Sequence, residues 1–324
     1  MKKRTKILIG YDGSNCADAA LDDLTHAGLP AEAEIEILSI AEVWLPPPPP
    51  SSYEILEQAN KAKSPADLQR GFGKGCVATK TALAMAEGAC ERLRGNFPNW
   101  RVSAKSSCGS PASELIARAD QWKPDLIVVG SHGRTALGRF VLGSVSQRVL
   151  TEAPFSVRIA RGRLEEADSP VRIVIGIDGS PASLDAVREV AARSWPSQSE
   201  VKVIVVDDPL FPDYLGLIPP LEKMIEEDKA QERAWVKKIS AEPIALLRRA
   251  GLEVSSELRE GEPKKELPKA AEEWSADCIF VGSTGFSNRL ERLVLGSVSA
   301  AVAARAHCSV EVVRSKSRTE EGQK

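Results

Sequence analysis

Histidine is scarce in this sequence of 324 residues, and its cysteines are not paired. The 3 histidines lie far apart, and the 6 cysteines form neither a C-x-x-C pair nor another metal-like spacing. A zinc site therefore has little support, and we expect no protein-held metal centre. Scattered cysteines without a disulfide framework are typical of a reducing compartment, so we expect the protein to be cytoplasmic.

Long apolar runs are also lacking. The longest, such as Leu126–Gly130 and Val201–Val206, have the length of one strand, whereas a helix needs roughly 20 apolar residues to cross a bilayer. The basic start MKKRTKILIG is followed by no small-residue cleavage site, so no export signal is expected. The formal net charge of -2 gives no electrostatic reason to expect a nucleic acid or a membrane as a partner.

An internal repeat organises the chain. KILIGYDGS near the start returns as RIVIGIDGS, and Gly109, Asp125 and Gly130 align with Gly261, Asp277 and Gly282 at a constant offset of 152. A third match, FVLGSVSQRVLTEAPFSVRIAR with LVLGSVSAAVAARAHCSVEVVR, closes each half. The repeat predicts two domains, residues 1–162 and 171–314, joined by a linker at 163–170 and followed by a disordered tail at 315–324.

Each half predicts an α/β fold, because short runs rich in isoleucine and valine alternate with segments of helical spacing. Right-handed crossovers between such strands give a doubly wound parallel sheet. The five strands predicted in the first half are Lys6–Tyr11, Glu34–Ile40, Arg101–Ser106, Asp125–Gly130 and Phe155–Ile159. Those in the second half are Arg172–Ile177, Val201–Val206, Leu252–Glu257, Asp277–Gly282 and Ser309–Val313.

A proline-rich insert, residues 44–76, interrupts the first half after its second strand. Five consecutive prolines predict a stiff polyproline II spacer, and we interpret the glycines of GFGKG, Gly71–Gly75, as loop residues. A shorter proline-rich stretch, Asp208–Pro220, occupies the same place in the second half. Both follow the carboxyl end of a strand, where a lid or a partner contact would stand beside a ligand. A surface excursion without a role is the equal alternative.

The strongest motif is Gly130-Ser-His-Gly133, followed by nine residues and then Gly143-Ser144. It comes directly after a predicted strand and ends at a predicted helix start. Glycines there let backbone amides approach an anion, and a serine at a helix N-terminus adds a hydroxyl donor at the positive end of the helix dipole. The motif therefore predicts a phosphate site, although it is neither a P-loop nor a G-x-G-x-x-G fingerprint.

These features resemble the ATP-binding class of the universal stress protein family: a first strand ending in Asp-Gly-Ser, then G-x2-G-x9-G-[ST] after the fourth strand. The resemblance is found in each half, and the two halves together make up nearly the whole chain. It implies in each half a five-stranded parallel sheet of order 3-2-1-4-5, of the adenine nucleotide alpha hydrolase type. It also implies that ATP or a related adenine nucleotide, possibly with Mg²⁺, binds at the carboxyl edge, although other members bind none.

By position, the resemblance assigns nucleotide contacts in both halves. In the first half, the residues for the base, ribose and phosphates are Asp12, Ile40, Val129, Gly130, Gly133, Gly143, Ser144 and Val145. The matching residues of the second half are Asp178, Val205, Val281, Gly282, Gly285, Gly296, Ser297 and Val298.

The second loop departs from the pattern, since ten residues instead of nine separate Gly285 from Gly296. The first loop carries Arg134 and Arg139 without an acid, whereas the second places Glu291 between Arg289 and Arg292. Because phosphate binding favours uncompensated cations, we predict tighter ATP binding at the first site.

Several of these residues have a plainer interpretation. Asp12 and Asp178 could cap the following turn, and Gly143-Ser144 could be only a helix cap. His132 is replaced by Thr284 in the second copy, so a solvated loop histidine is the favoured interpretation. Trp122 and Trp274 recur at equivalent helix ends and are predicted to be core residues.

Three functions compete. The leading hypothesis is a regulatory protein of the stress response in which ATP acts as a conformational ligand. A slow ATPase is less supported, because neither a carboxylate nor a histidine recurs in both phosphate loops to activate water, and no magnesium ligands are evident beyond Asp12 and Ser144. The third is a scaffold with vestigial sites whose insert recruits an unknown protein partner. The resemblance further implies an intrachain pseudo-dimer through the last strand of each half; pairing of two chains into a homodimer is left open.

Overall fold

The computed structural model describes residues 4–42, 65–133, 142–162, 169–207, 219–284 and 295–315, with only the backbone described at 65–76 and 219–233. Several predictions therefore lie outside the described residues. They concern the polyproline spacer, most of the second proline-rich stretch, Gly285, the tail, and the charged loop residues Arg134, Arg139, Arg289, Glu291 and Arg292.

Each half alternates strands with helices. The elements of the first half are β1 (Thr5–Gly10), α1 (Asn15–Asp23), a 3₁₀ turn (Leu24–His26), β2 (Ala33–Ala41), α2 (Pro65–Asn96), β3 (Arg101–Cys108), α3 (Pro111–Trp122), β4 (Leu126–Gly130), α4 (Ser144–Glu152) and β5 (Ser156–Ala160). Those of the second half are β6 (Arg172–Gly176), α5 (Pro181–Ala191), β7 (Glu200–Asp207), α6 (Pro219–Arg249), β8 (Glu253–Glu260), α7 (Pro263–Glu273), β9 (Cys278–Gly282), α8 (Ser297–Arg305) and β10 (Ser309–Val313). All ten predicted strands are present, with ends shifted by at most three residues.

The strands form one ten-stranded sheet of order β3-β2-β1-β4-β5-β10-β9-β6-β7-β8. Within each half the strands are parallel and follow the predicted order 3-2-1-4-5. The halves meet where β5 pairs with β10 in the antiparallel direction, with Arg158 opposite Glu311 and Ile159 opposite Val310. The intrachain pseudo-dimer implied by the resemblance is therefore present.

Helices cover both faces of the sheet, and the inner strands are apolar on both sides, whereas the edge strands β3 and β8 are largely polar. On one face, α1 and α2 cover the first half around Ile7, Ile9 and Leu21, and α5 and α6 cover the second half around separate residues. On the other face, one cluster runs without interruption through both halves and includes Leu150 and Val310. Burial of this shared apolar face stabilises the two domains as one body.

One local prediction was wrong. Helix α2 begins at Pro65, so Gly71–Gly75 belong to a helix and not to a loop. Proline is well tolerated in the first turn of a helix, and the C-terminal half of α2 packs on the sheet, with Ala86, Ala89 and Leu93 buried. The low helix propensity of three closely spaced glycines is therefore not sufficient to end a helix whose later turns are packed.

A buried charge network crosses the interface between the halves. Arg158 of β5 donates to both carboxylate oxygens of Asp23, at 2.6 and 3.1 Å, and to Glu311 of β10 at 3.4 Å. Glu311 also accepts from Arg193 of the second half, which in turn binds Glu189 at 3.1 Å. Arg158 is 1% exposed and Glu311 is fully buried. Each half thus contributes charges of both signs to one water-excluded cluster.

Candidate functional site

The candidate sites lie at the carboxyl edge of the sheet. In the first half, β1 and β4 are neighbours, and the chain continues from β1 to β2 on one side and from β4 to β5 on the other. Such a switch point opens a crevice in doubly wound folds. The second half has the same arrangement at β6 and β9.

An aspartate holds the turn after the first strand of each half. The backbone N–H of Ser14 donates to Asp12 Oδ1 at 3.0 Å, and the N–H of Ser180 donates to Asp178 Oδ1 at 2.9 Å. The helix caps themselves are the serines, since Ala17 N–H donates to Ser14 Oγ at 3.2 Å. The turn role of the aspartates is therefore present, while contact with a ribose stays a prediction.

The loop after β4 returns to the same aspartate. A Cβ added to Gly133 would lie 3.0 Å from Asp12 Oδ2, so the backbone of Gly133 passes directly over this carboxylate. The fold thus brings together two predicted site residues that are 121 positions apart in the sequence.

The helix that follows each loop is tied to the end of the preceding strand. Gly143 N–H donates to Ser131 O at 2.9 Å, and Ser146 Oγ donates to the carbonyl of Gly130 at 2.6 Å. The second half repeats both bonds, from Gly296 N–H to Ser283 O at 2.7 Å and from Ser299 Oγ to Gly282 O at 2.6 Å. Ser144 and Ser297 begin α4 and α8 and are exposed. Each site therefore presents a helix N-terminus, which suits an anion.

Gly130 and Gly282 are required by packing. A Cβ on Gly130 would lie 2.8 Å from the carbonyl oxygen of Cys16, and one on Gly282 would lie 2.5 Å from the carbonyl carbon of Ala182. The obstructing atoms are backbone at the start of α1 and α5, which cannot rotate away. Close helix–strand packing is thus sufficient to explain both glycines.

In the second half these elements enclose a cavity of about 450 Å³. Six of the predicted site residues line it: Asp178, Val281, Gly282, Gly296, Ser297 and Val298. Apolar residues that the sequence did not single out also line it, among them Ile204, Val206, Leu267 and Leu295. Polar groups of Ser180 and Thr284 face the same space. The cavity has the mixed lining typical of a small-molecule site.

The assignment of Val205 was wrong by one residue. Gly109 N–H donates to Ala41 O and Gly261 N–H donates to Asp207 O, so the residue equivalent to Ile40 is Val206. Side chains alternate between the faces of a strand, and Val205 packs into the cluster under α5 and α6, away from the cavity. The offset of 166 that aligns Asp12 with Asp178 also aligns Ile40 with Val206 and would have identified it.

The corresponding residues of the first half lie in matching places. Val129 is buried in the shared cluster, and Ile40 and Val145 pack against it partly exposed, as Val206 and Val298 do in the second half. Trp122 and Trp274 also pack against this cluster, each with a lysine above its ring: Lys6 at 5.1 Å and Lys202 at 4.8 Å from the ring centres.

His132 is half-buried, which differs from the predicted solvated histidine. Its Nδ1 lies 3.1 Å from Ser131 Oγ, and its Nε2 is buried without a hydrogen-bond partner among the described residues. Burial first, and then the positive charge of Arg161, lower the pKa of His132 below its ordinary value. A neutral imidazole therefore stands in the loop between Gly130 and Gly133.

Among the residues that the structure describes, no three His, Cys, Asp or Glu side chains gather as they would to hold a metal ion. None of the helices in the described ranges combines the length and apolar character needed to cross a membrane.

Comparison with known proteins gives the family. The model of the universal stress protein family matches residues 3–161 and again 171–314. Universal stress protein Rv2005c of Mycobacterium tuberculosis is 25% identical over 333 residues, which covers 97% of this chain and 98% of that protein. Universal stress protein MJ0531 of Methanocaldococcus jannaschii is 33% identical over 148 residues, 44% of this chain and 81% of its own length.

A solved structure of a universal stress protein from Archaeoglobus fulgidus has the same fold, with a TM-score of 0.60 and 22% identity over 95% of this chain and 98% of that one. Two matches to the family model span most of the chain, and one relative matches over nearly its full length. The chain belongs to the universal stress protein family and carries two copies of its domain in tandem.

Proposed function

We propose that this protein is a regulatory protein of the stress response that binds ATP, or a related adenine nucleotide, as a conformational ligand. The observation that carries the proposal is the cavity of the second half, whose lining combines apolar side chains with a helix N-terminus. A nucleotide needs both surfaces, one for a flat base and one for charged phosphates.

The lining suggests how the ligand would lie. Ile204, Val206 and Leu267 offer the base an apolar surface. Gly296 and Ser297, at the start of α8, offer amides and a hydroxyl to the phosphates. Asp178, which also lines the cavity, would accept a hydrogen bond from the ribose. A volume of about 450 Å³ lies within the usual range for small-molecule sites.

The first half has Asp12, Gly143 and Ser144 at the equivalent positions, and we propose that it is the tighter site. The support is the charge of the loops: two arginines without an acid in the first, and two arginines around Glu291 in the second. Uncompensated guanidinium groups bind phosphate more strongly. We expect the first site to bind ATP about tenfold more tightly, which corresponds to roughly 1.4 kcal/mol.

A matched pair of variants tests both statements. Ser144→Asp and Ser297→Asp each place a carboxylate at the first position of a helix, where it favours the helix but repels a phosphate. We expect calorimetric titration of the stripped protein with ATP to give two sites per chain in the wild type. Each variant is expected to lose its own site, by at least about tenfold in affinity, and to unfold at an unchanged or higher temperature.

The outcomes separate the claims. Absence of binding at millimolar ATP, ADP, AMP and cAMP would overturn the nucleotide proposal and favour a scaffold. Equal affinities in the two variants would leave nucleotide binding in place and reject the tighter first site. An unchanged titration in both variants would show that ATP binds elsewhere.

The pH dependence of binding provides a further prediction. In the free protein the pKa of His132 is lowered, and a phosphate bound beside Gly133 would raise it. Since binding then takes up a proton, affinity at the first site should increase as pH falls from about 7.5 to 5.5, by up to tenfold for each unit of pKa change. His132→Gln is expected to remove this part of the pH dependence. The part that comes from protonation of the nucleotide itself should remain. Equal pH profiles in the two proteins would contradict a phosphate near His132.

A further inference from the structure

Each half sends an arginine across the interface to a helix of the other half. Arg161, just after β5, donates from Nη2 to the carbonyl of Ala303 at 2.7 Å and from Nη1 to the carbonyl of Cys308 at 3.2 Å. Arg314, just after β10, donates from Nη2 to the carbonyls of Leu150 at 3.0 Å and Thr151 at 3.4 Å.

The two contacts are related by the repeat. Leu150 and Ala303 are each the seventh residue of their nine-residue helix, α4 and α8. The backbone N–H of Arg161 donates to Ser309 Oγ at 2.8 Å, and that of Arg314 donates to Ser156 Oγ at 3.1 Å. Both arginines are therefore held by side chain and backbone in the same crossed arrangement.

Three of the four bonded carbonyls, those of Leu150, Thr151 and Ala303, lie in the last turn of a helix, whereas that of Cys308 lies after α8. The last four carbonyls of an α-helix have no partner within it, and they form the negative end of its dipole. Arg314 is only 6% exposed, and burial lowers the pKa of both guanidinium groups. A buried cation is costly unless it is hydrogen-bonded, so the carbonyls offset its burial while the arginine completes the helix end.

The same two helices begin at Ser144 and Ser297, the candidate phosphate positions. With nine residues each, they are only about 13 Å long. Helices this short depend on tertiary contacts for their order. The contact that fixes the end of each helix therefore helps to fix its beginning.

Each arginine is also next to the loop of its own half. Ser283 N–H donates to the carbonyl of Val313 at 2.9 Å, one residue before Arg314. In the first half, the charge of Arg161 is close enough to lower the pKa of His132. Each arginine therefore lies beside the candidate site of its own half and contacts the helix that begins at the candidate site of the other half.

We propose that Arg161 and Arg314 are positioning residues, each of which acts on the candidate site of the other domain. Arg314, in the second domain, supports nucleotide binding at the first site, and Arg161, in the first domain, supports binding at the second. This inference rests on the proposed nucleotide function and adds to it a dependence of each site on the other domain.

We expect the two arginines to affect ATP binding unequally. Helix α8 has a basic residue, Arg305, in its own last turn, whereas α4 has none and ends at Glu152. The dipole of α4 therefore depends more on the arginine from the other half. Loss of Arg314 should weaken the first site more than loss of Arg161 weakens the second.

The test combines arginine substitutions with the single-site proteins. In Ser297→Asp, which retains the first site, Arg314→Met is expected to lower ATP affinity about fivefold or more, and Arg161→Met less than about twofold. In Ser144→Asp, which retains the second site, Arg161→Met is expected to lower the ATP affinity about twofold to threefold. Arg314→Met is expected to lower the ATP affinity of this protein less. Arg314→Lys, which keeps the charge and a donor, should restore part of the loss.

Equal losses from both arginine variants in each single-site protein would indicate general weakening of the interface and would overturn the proposal. The absence of any loss would also overturn it.

Hydrogen exchange of the ligand-free protein keeps this inference separate from the nucleotide proposal. Arg314→Met should speed amide exchange in α4 but not in α8, and Arg161→Met should do the reverse. If the single-site proteins do not bind nucleotide, the proposed function fails, and the exchange rates still test the arginines. Unchanged exchange in both helices would refute the positioning role.

Discussion

Replacing Arg158 by methionine is expected to lower the free energy of unfolding by about 3–5 kcal/mol. Arg158 lies between Asp23 and Glu311 in the water-excluded interface of the two halves. Glu311 would keep Arg193 as a partner, and Asp23 would keep only the hydroxyl of Ser309 at 2.6 Å among the partners described here. A carboxylate left without its cation in a buried site must be desolvated without compensation. Since natural domains are stable by about 5–15 kcal/mol, this is a large fraction of the total.

Urea unfolding measures the effect, as a lower midpoint at an unchanged slope. Arg148→Met is the matched control, because Arg148 pairs with Glu152 at 2.8 Å on the exposed surface of α4. Exposed pairs contribute little to stability, so the control should unfold close to the wild type. Similar midpoints for Arg158→Met and the control would show that the buried network does not stabilise the interface.

Adding one methyl group at Gly282 is expected to destabilise the protein by about 1–3 kcal/mol or more. The new Cβ would lie 2.5 Å from the carbonyl carbon and 2.7 Å from the carbonyl oxygen of Ala182. Gly130→Ala should cost less, since its nearest backbone atom is 2.8 Å away. In both cases α1 or α5 must move away from the strand, and the aspartate turn moves with it.

Gly88→Ala separates the steric effect from a general effect of glycine replacement. A Cβ at Gly88, in the middle of α2, meets nothing within 4 Å. Replacing an exposed helical glycine by alanine stabilises a protein by roughly 0.5–1 kcal/mol. The unfolding temperature should therefore rise for Gly88→Ala and fall for Gly130→Ala and Gly282→Ala. Unchanged stability in both strand variants would contradict the close packing of α1 and α5.

The strands were predictable from local patterns, and their order from the family resemblance. After their first residue, runs such as KILIG and RIVIG are apolar, which indicates strands buried on both faces. The repeat indicates that the two halves share one fold. Where local patterns conflict with packing, the prediction was wrong. Gly71–Gly75 indicated a loop but lie in α2, and Val205 was assigned to the site although its side chain faces the opposite side of the sheet.

The sequence by itself determined the two α/β domains, the strand order implied by its family resemblance, and the glycine and serine positions at the carboxyl edge. Only the tertiary structure decided which charges meet inside. Arg158 and Glu311 are 153 positions apart, and Arg314 and Leu150 are 164 apart. Hydrophobic periodicity shows which face of an element is buried but carries no information on which buried polar groups pair across an interface. That pairing depends on the antiparallel register of β5 and β10, which exists only once both halves have folded.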